Sequence, residues 1–208
     1  MKFRPLLAAA FTLGALVACS DSSSLDEGEG RIAVRMTDAP FPLDEVESID
    51  IFVVRVEAKT QVTTEEEAAL DVEEDDAESD GWIVLAEPNE EFDLMDLRNG
   101  VSVFLGDAVV EEGDYRSFRL IIDTDQSSVT LKDGTVLTAT STPSIKFPSA
   151  GTSGIKIMLT EAVVVEEGAT IDVLLDFDAE ESFVLRGNTI MQNGLLFKPV
   201  IKASIQDE

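Results

Sequence analysis

The chain predicts an all-β fold, a sandwich of antiparallel sheets or a barrel, and three observations carry that expectation. From Arg31 to Ile205 apolar residues recur with a period of two rather than about 3.6. The runs are short and are broken by Gly, Pro, Asn and Asp. No long amphipathic stretch of helical period interrupts them.

Residues 1–18 stand outside that pattern. Lys2 and Arg4 make a basic start, Leu6 to Ala18 is an apolar run, and small residues precede Cys19, the arrangement of a cleaved export signal. As a helix the run would reach only about 20 Å, short of the ~30 Å hydrocarbon layer. Leu16-Val17-Ala18-Cys19 resembles the bacterial lipobox. That resemblance implies cleavage before Cys19, diacylglycerol on its thiol and acylation of its new amine. Residues 19–30 read as a flexible tether rich in Ser, Gly and acid, with Leu25 its only large apolar residue. The folded domain is expected over 31–205, with 206–208 a tail.

Within the domain, Ile49, Ile51 and Val53 share one face, yet Val54, Val56 and Ala58 carry the apolar phase afterwards while Arg55, Glu57 and Lys59 turn polar. A strand whose buried face changes parity in mid-run predicts a β-bulge near Phe52 to Val54. Residues 65–80 hold 10 acids in 16 positions and no base, so they read as a solvated inter-strand loop. Trp82 to Ala86 reads as a strand. Phe118, Leu120 and Ile122 alternate with polar neighbours, as do Ile171, Val173, Leu175 and Phe177, which predicts two half-buried strands. Asn99-Gly100 and Asp133-Gly134 are hairpin-turn dipeptides, the second joining Val129–Leu131 to Val136–Thr138. Phe197, Pro199, Ile201, Ala203 and Ile205 predict a last inward face, with Pro199 at an edge or strand start. The architecture expected of such a sandwich is an immunoglobulin-like or transthyretin-like Greek key.

Composition narrows the chemistry. The 208 residues include no His, one Cys, one Trp and one Tyr, and the net charge is −27. Removing residues 1–18 takes away two bases and no acid, leaving 13 bases against 42 acids, or −29. Such a surface repels nucleic acid and anionic headgroups, so membrane contact falls to the acyl chains at about 0.8 kcal/mol per buried methylene. Without His and with Cys19 committed to lipid, the chain cannot build a Ser-His-Asp triad, a Cys-His pair or a His-ligated zinc site. Carboxylate-pair hydrolysis stays open, though sugar clefts usually need more stacking platforms than Trp82 and Tyr115.

Several blocks stand out in order: Met36-Thr37-Asp38-Ala39-Pro40, Phe92 to Leu97 with Asn99-Gly100, Gly113-Asp114-Tyr115 leading into Arg119-Leu120, Asp176-Phe177-Asp178-Ala179, and Lys198-Pro199-Val200-Ile201. Their order and spacing resemble the bacterial lipoprotein family catalogued as domain of unknown function 4382, over about Gly30 to Ser204. The resemblance implies a β-sandwich on a lipid anchor and assigns no activity; residues 65–80 look like an insertion.

The remaining motifs each have a plain reading. Asp76 to Gly81 with Ile83 and Glu87 has the spacing of a calcium EF-hand loop, but Pro88 and the strand-like Trp82–Ala86 oppose the second helix. Asp176 and Asp178, with Glu180 and Glu181, could converge on a hard cation; cross-strand pairing with Lys198 and Lys202 is the simpler expectation. Ser153 and Lys156 match a Ser-x-x-Lys pattern, but strand alternation at Ile155, Ile157 and Leu159 points them to opposite faces. Asp38 reads as a turn residue accepting local backbone N–H groups before Pro40.

The expectation is therefore an exported, lipid-anchored envelope protein with lipid attachment at Cys19 and no residue assigned to catalysis, cofactor binding or metal. Ser20 after the cysteine resembles the arrangement in enteric-type outer-membrane lipoproteins, and that resemblance favours the outer membrane. The domain is expected to be a non-catalytic module presenting loops to a protein, glycan or divalent-cation partner. The alternatives are a structural subunit assembling by β-strand addition and, third, a carboxylate-based hydrolase.

Overall fold

A computed structural model describes residues 25–38, 44–60, 81–148 and 153–206, and the alternating runs among them are strands. In chain order these are β1 (Glu29–Asp38), β2 (Val46–Thr60), β3 (Trp82–Ala86), β4 (Glu90–Asp93), β5 (Val103–Glu111), β6 (Gly113–Leu131), β7 (Val136–Leu137), β8 (Ile145–Lys146), β9 (Ile155–Val165), β10 (Thr170–Phe177), β11 (Phe183–Leu185), β12 (Leu195–Phe197) and β13 (Ile201–Gln206). A 3-10 turn at Leu94–Leu97 and two short helices, α1 (Ala179–Ser182) and α2 (Ile190–Asn193), complete the described elements. Cys19 and residues 65–80 lie outside the described residues.

Two sheets carry the core in a sandwich-like arrangement. The first has the order β13-β10-β1-β5; the second has the order β3-β2-β6-β7, with β4 also on β2 and β9 also on β6. From the first, Ile32, Val34, Met36, Val173, Leu175 and Phe177 point inward and are fully buried. From the second, Ile49, Ile51, Val53, Val56, Phe118 and Leu120 meet them in one apolar cluster. Each such side chain contributes about 1.5–3 kcal/mol relative to exposure in water. The sheet edges adjoin along two seams, β3 beside β5 and β9 beside β13. At the first seam Gly106 has φ +148°, and a Cβ there would lie 2.7 Å from Cβ of Ala86, so only glycine lets the strands approach so closely.

The parity change in β2 has the cause read from sequence. Val53 pairs with Ile122 and Arg55 with Ile121, so Val54 is the extra residue of a β-bulge and the buried face resumes at Val56. Asp133-Gly134 closes the expected hairpin: the Leu131 N–H donates to the Thr135 carbonyl at 2.8 Å, and Val129 pairs with Leu137.

Three expectations are corrected. The sheets are mixed, because β1 and β10 run parallel from Arg31 opposite Thr170 to Asp38 opposite Phe177, and β12 runs parallel to β8. These partners are far apart in sequence, so no tight turn obliges them to run antiparallel. Asn99-Gly100 forms a tight turn, with φ +60° and +81°, but it leads from the 3-10 turn into β5 instead of joining paired strands. The last inward face is two strands: β12 joins a small third sheet, β11-β12-β8, while β13 joins β10. Pro199, which has no N–H to donate, lies in the break between them. The small sheet closes one end of the core through Phe197, whose ring lies 5.0 Å from Phe183, 5.2 Å from Phe147 and 6.2 Å from Phe177.

Candidate functional site

Four of the five sequence blocks meet at the end where β1 and β10 terminate. Thr37 closes β1 onto the turn after the 3-10 element, its hydroxyl 2.7 Å from the Val101 carbonyl and 3.0 Å from that of Leu97. Asp38 follows, and its Oδ1 accepts the Ala179 N–H at 3.0 Å. Asp178 caps α1 by accepting the Glu181 N–H at 3.0 Å, while its own N–H donates to the Val200 carbonyl at 2.9 Å. Ser182 ties α1 to the last block: its Oγ accepts the Val200 N–H at 2.8 Å, and its carbonyl accepts the Lys198 N–H at 2.7 Å. In the remaining block at this end, Asp93 accepts the Met95 N–H at 2.9 Å, which starts the 3-10 turn, and the Ile49 N–H at 3.1 Å.

Asp38 is the chemically unusual member. It is only 4% exposed, and its Oδ2 is buried without a hydrogen-bond partner among the described residues. Burial is the largest influence on its titration, the negative charges of Asp176 and Asp178 act in the same direction, and the carboxyl is pushed up to about 7. The Ala179 N–H and the charge of Arg98 pull the other way without prevailing. At neutral pH this carboxyl is therefore poised between a neutral form, which suits its apolar surroundings, and an ionised form that is poorly solvated there. Asp93 is also raised, first by burial and then by Asp50 and Asp96, against its two N–H partners.

Asp38 makes a bond that no local reading gives: the N–H it accepts is 141 residues away, so it joins two strand ends, while the turn expected at Ala39-Pro40 lies outside the described residues. Asp176 and Asp178, expected on one strand face, part company. Asp176 lies in β10 opposite Lys202 of β13, as cross-strand pairing requires, whereas Asp178 is past the strand and caps α1. Lys198 falls in the break before β13 and is not part of that ladder. Lys156 is exposed in β9 between buried Ile155 and Ile157, whereas Ser153 lies before that strand with Gly154 at φ +67° between them, so no helical turn runs from Ser153 to Lys156. Trp82–Ala86 is β3, the element that opposed an EF-hand; residues 76–80 lie outside the described residues.

Sequence reasoning missed a second polar cluster. Glu57 reads as one member of a solvent-facing polar run, yet its side chain is 5% exposed. Its Oε1 accepts from Arg55 Nε at 2.6 Å and its Oε2 from Arg119 Nε at 2.5 Å, while the Arg119 guanidinium lies 4.4 Å from the centre of the Trp82 ring. The two arginines cover the carboxylate. Burial works to raise its pKa, but both guanidinium groups outweigh that and hold it below the usual range. A lone acid flanked by Arg55 and Lys59 was the only available signal.

The family model described as domain of unknown function (DUF4382) matches residues 29–199. No curated protein and no solved structure matches the chain.

Proposed function

The chain belongs to the family described as domain of unknown function (DUF4382), and from that premise we propose that it is a non-catalytic, lipid-tethered Greek-key sandwich. In this reading it holds the Asp38 end of the domain away from a membrane and toward a partner. One observation carries it: β1 enters from the tether side at Glu29 and ends at Asp38, where the sequence blocks converge. Ten residues at about 3.3 Å each separate the two ends by roughly 33 Å. The entry end is ringed by acids. The Glu112 N–H donates to the Gly28 carbonyl and the Gly168 N–H to that of Glu29, which gathers Glu27, Glu29, Glu111, Glu112, Glu166 and Glu167 around the point where the tether joins. Such an end is repelled by anionic headgroups, so the acyl chains on Cys19 provide attachment while the domain stands off.

Replacing Cys19 tests this. Cys19→Ser lacks the thiolate that takes the lipid, so labelled fatty acid should no longer be incorporated and the chain should leave the outer-membrane fraction favoured by Ser20. Undiminished labelling of Cys19→Ser would overturn the reading.

A further inference from the structure

We propose that the outer face of the sheet β13-β10-β1-β5 is the docking surface for a second copy of this chain, the two faces meeting about a two-fold axis. On a protein of net charge −27 most surfaces repel a copy. Between Arg31 and Thr37 this face is balanced instead. Arg31 forms an ion pair with Asp107. The Arg35 Nε lies 3.5 Å from Asp172 Oδ1, and Asp176 faces Lys202 across the ladder. Three bases thus offset three acids, and apolar side chains lie among them. Phe104 is 48% exposed beneath the Arg35 guanidinium, which is 5.5 Å from its ring centre, Val109 lies opposite Arg31, and half-buried Leu174 shares the face of Asp172 and Asp176.

Self-association about a two-fold axis requires a patch complementary to itself. An axis running along the strands between β1 and β10 provides this, because it sets Arg31 and Arg35 on β1 of each copy level with Thr170 and Leu174 on β10 of the other, two residues or about 7 Å to either side of Asp172 and within a guanidinium's reach of it. The area is adequate. Four strands about 4.8 Å apart and eight residues at about 3.3 Å give roughly 500 Å² per copy. The pair then buries about 1,000 Å², the lower bound for a specific interface.

The test uses the full chain, N-terminal segment included, in its membrane. Leu174→Cys should give a dimer with a short bis-maleimide, about tenfold more than Met158→Cys on the outer face of the other sheet, although Met158 is 69% exposed and would lead if collisions were random. The unsubstituted chain gives the background from any copies whose Cys19 thiol does not carry lipid. Adding Phe104→Glu, a change at an exposed position, should reduce the Leu174→Cys product about tenfold. Sedimentation of the detergent-solubilised chain gives a second measure, with a dimer expected that Phe104→Glu converts to monomer. Equal cross-linking through Met158→Cys, or a monomer at every concentration, would overturn the proposal.

Discussion

Asp38 is a carboxyl in a place that suits its neutral form, and that has a measurable consequence. Its folded-state pKa of about 7 lies above the ordinary 3.8, so the folded chain holds this proton more tightly than the unfolded one. The stabilisation is fully present below pH 3.8 and is lost as the pH rises to about 7, by a few kcal/mol at most. In Asp38→Asn the amide oxygen can still accept the Ala179 N–H, and nothing is left to ionise. Thermal melts of the two proteins should therefore differ little at pH 4, diverge in favour of Asp38→Asn up to pH 7, and run parallel above it. A constant difference across that range would show that Asp38 ionises normally. Glu57 has the opposite sign. Its pKa is held down, so its contribution is present above the ordinary 4.5 and lost as the pH falls through the folded value. At pH 7 Glu57→Gln should cost about 2–3 kcal/mol in urea unfolding, because two guanidinium groups lose their anionic acceptor. A loss below about 0.5 kcal/mol would place the triad among ordinary surface ion pairs.

At the scale of elements, legibility followed sequence distance. The bulge at Val54 could be read because a buried face that changes parity has one simple cause, and the Asp133-Gly134 hairpin because its partners are adjacent. The parallel pairing of β1 with β10 leaves no local trace: each strand alternates as it would in any half-buried ladder, and the pairing is decided by packing between segments more than a hundred residues apart. The same holds for Asp38 and Ala179. The break after Phe197 was half legible, since Pro199 marked it, but unbroken alternation on both sides concealed that Phe197 and Ile201 belong to different sheets. Glu57 was hidden for another reason, because its burial comes from Arg55 and Arg119 lying over it, and bases alone do not signal a buried acid. Register also bears on the acidic segment 65–80. Lys59 pairs with Trp82, so the chain leaves and re-enters the second sheet on neighbouring strands. Replacing residues 65–80 with a short Gly/Ser linker should therefore cost less than about 1 kcal/mol, since loop closure varies by only about 0.6 kcal/mol per doubling of length. A fall of many degrees in melting temperature would show that the segment contributes to the fold.

Over the whole molecule the dominant fact is charge, and two readings of it separate in a single titration. If the acids served a specific calcium site, six to eight oxygens would have to converge at about 2.3–2.6 Å, and stability would rise with calcium, saturate, and ignore magnesium. Diffuse self-repulsion behaves differently. It is relieved by any ion that shortens the screening length, about 10 Å at 0.1 M and about 3 Å at 1 M, so the melting temperature should climb gradually with ionic strength whichever divalent cation supplies it. The placement of the carboxylates favours the second outcome: Asp176 faces Lys202 across the ladder, Asp178 is committed to the N-terminus of α1, and Glu57 is enclosed by two arginines. Magnesium and calcium at equal ionic strength should therefore give melting curves that nearly superimpose. A calcium-specific rise that saturates below about 1 mM would instead identify a built site. Its loss in Asp176→Asn/Asp178→Asn would place that site at the end of β10, and its loss on deletion of residues 65–80 would place it in that acidic segment.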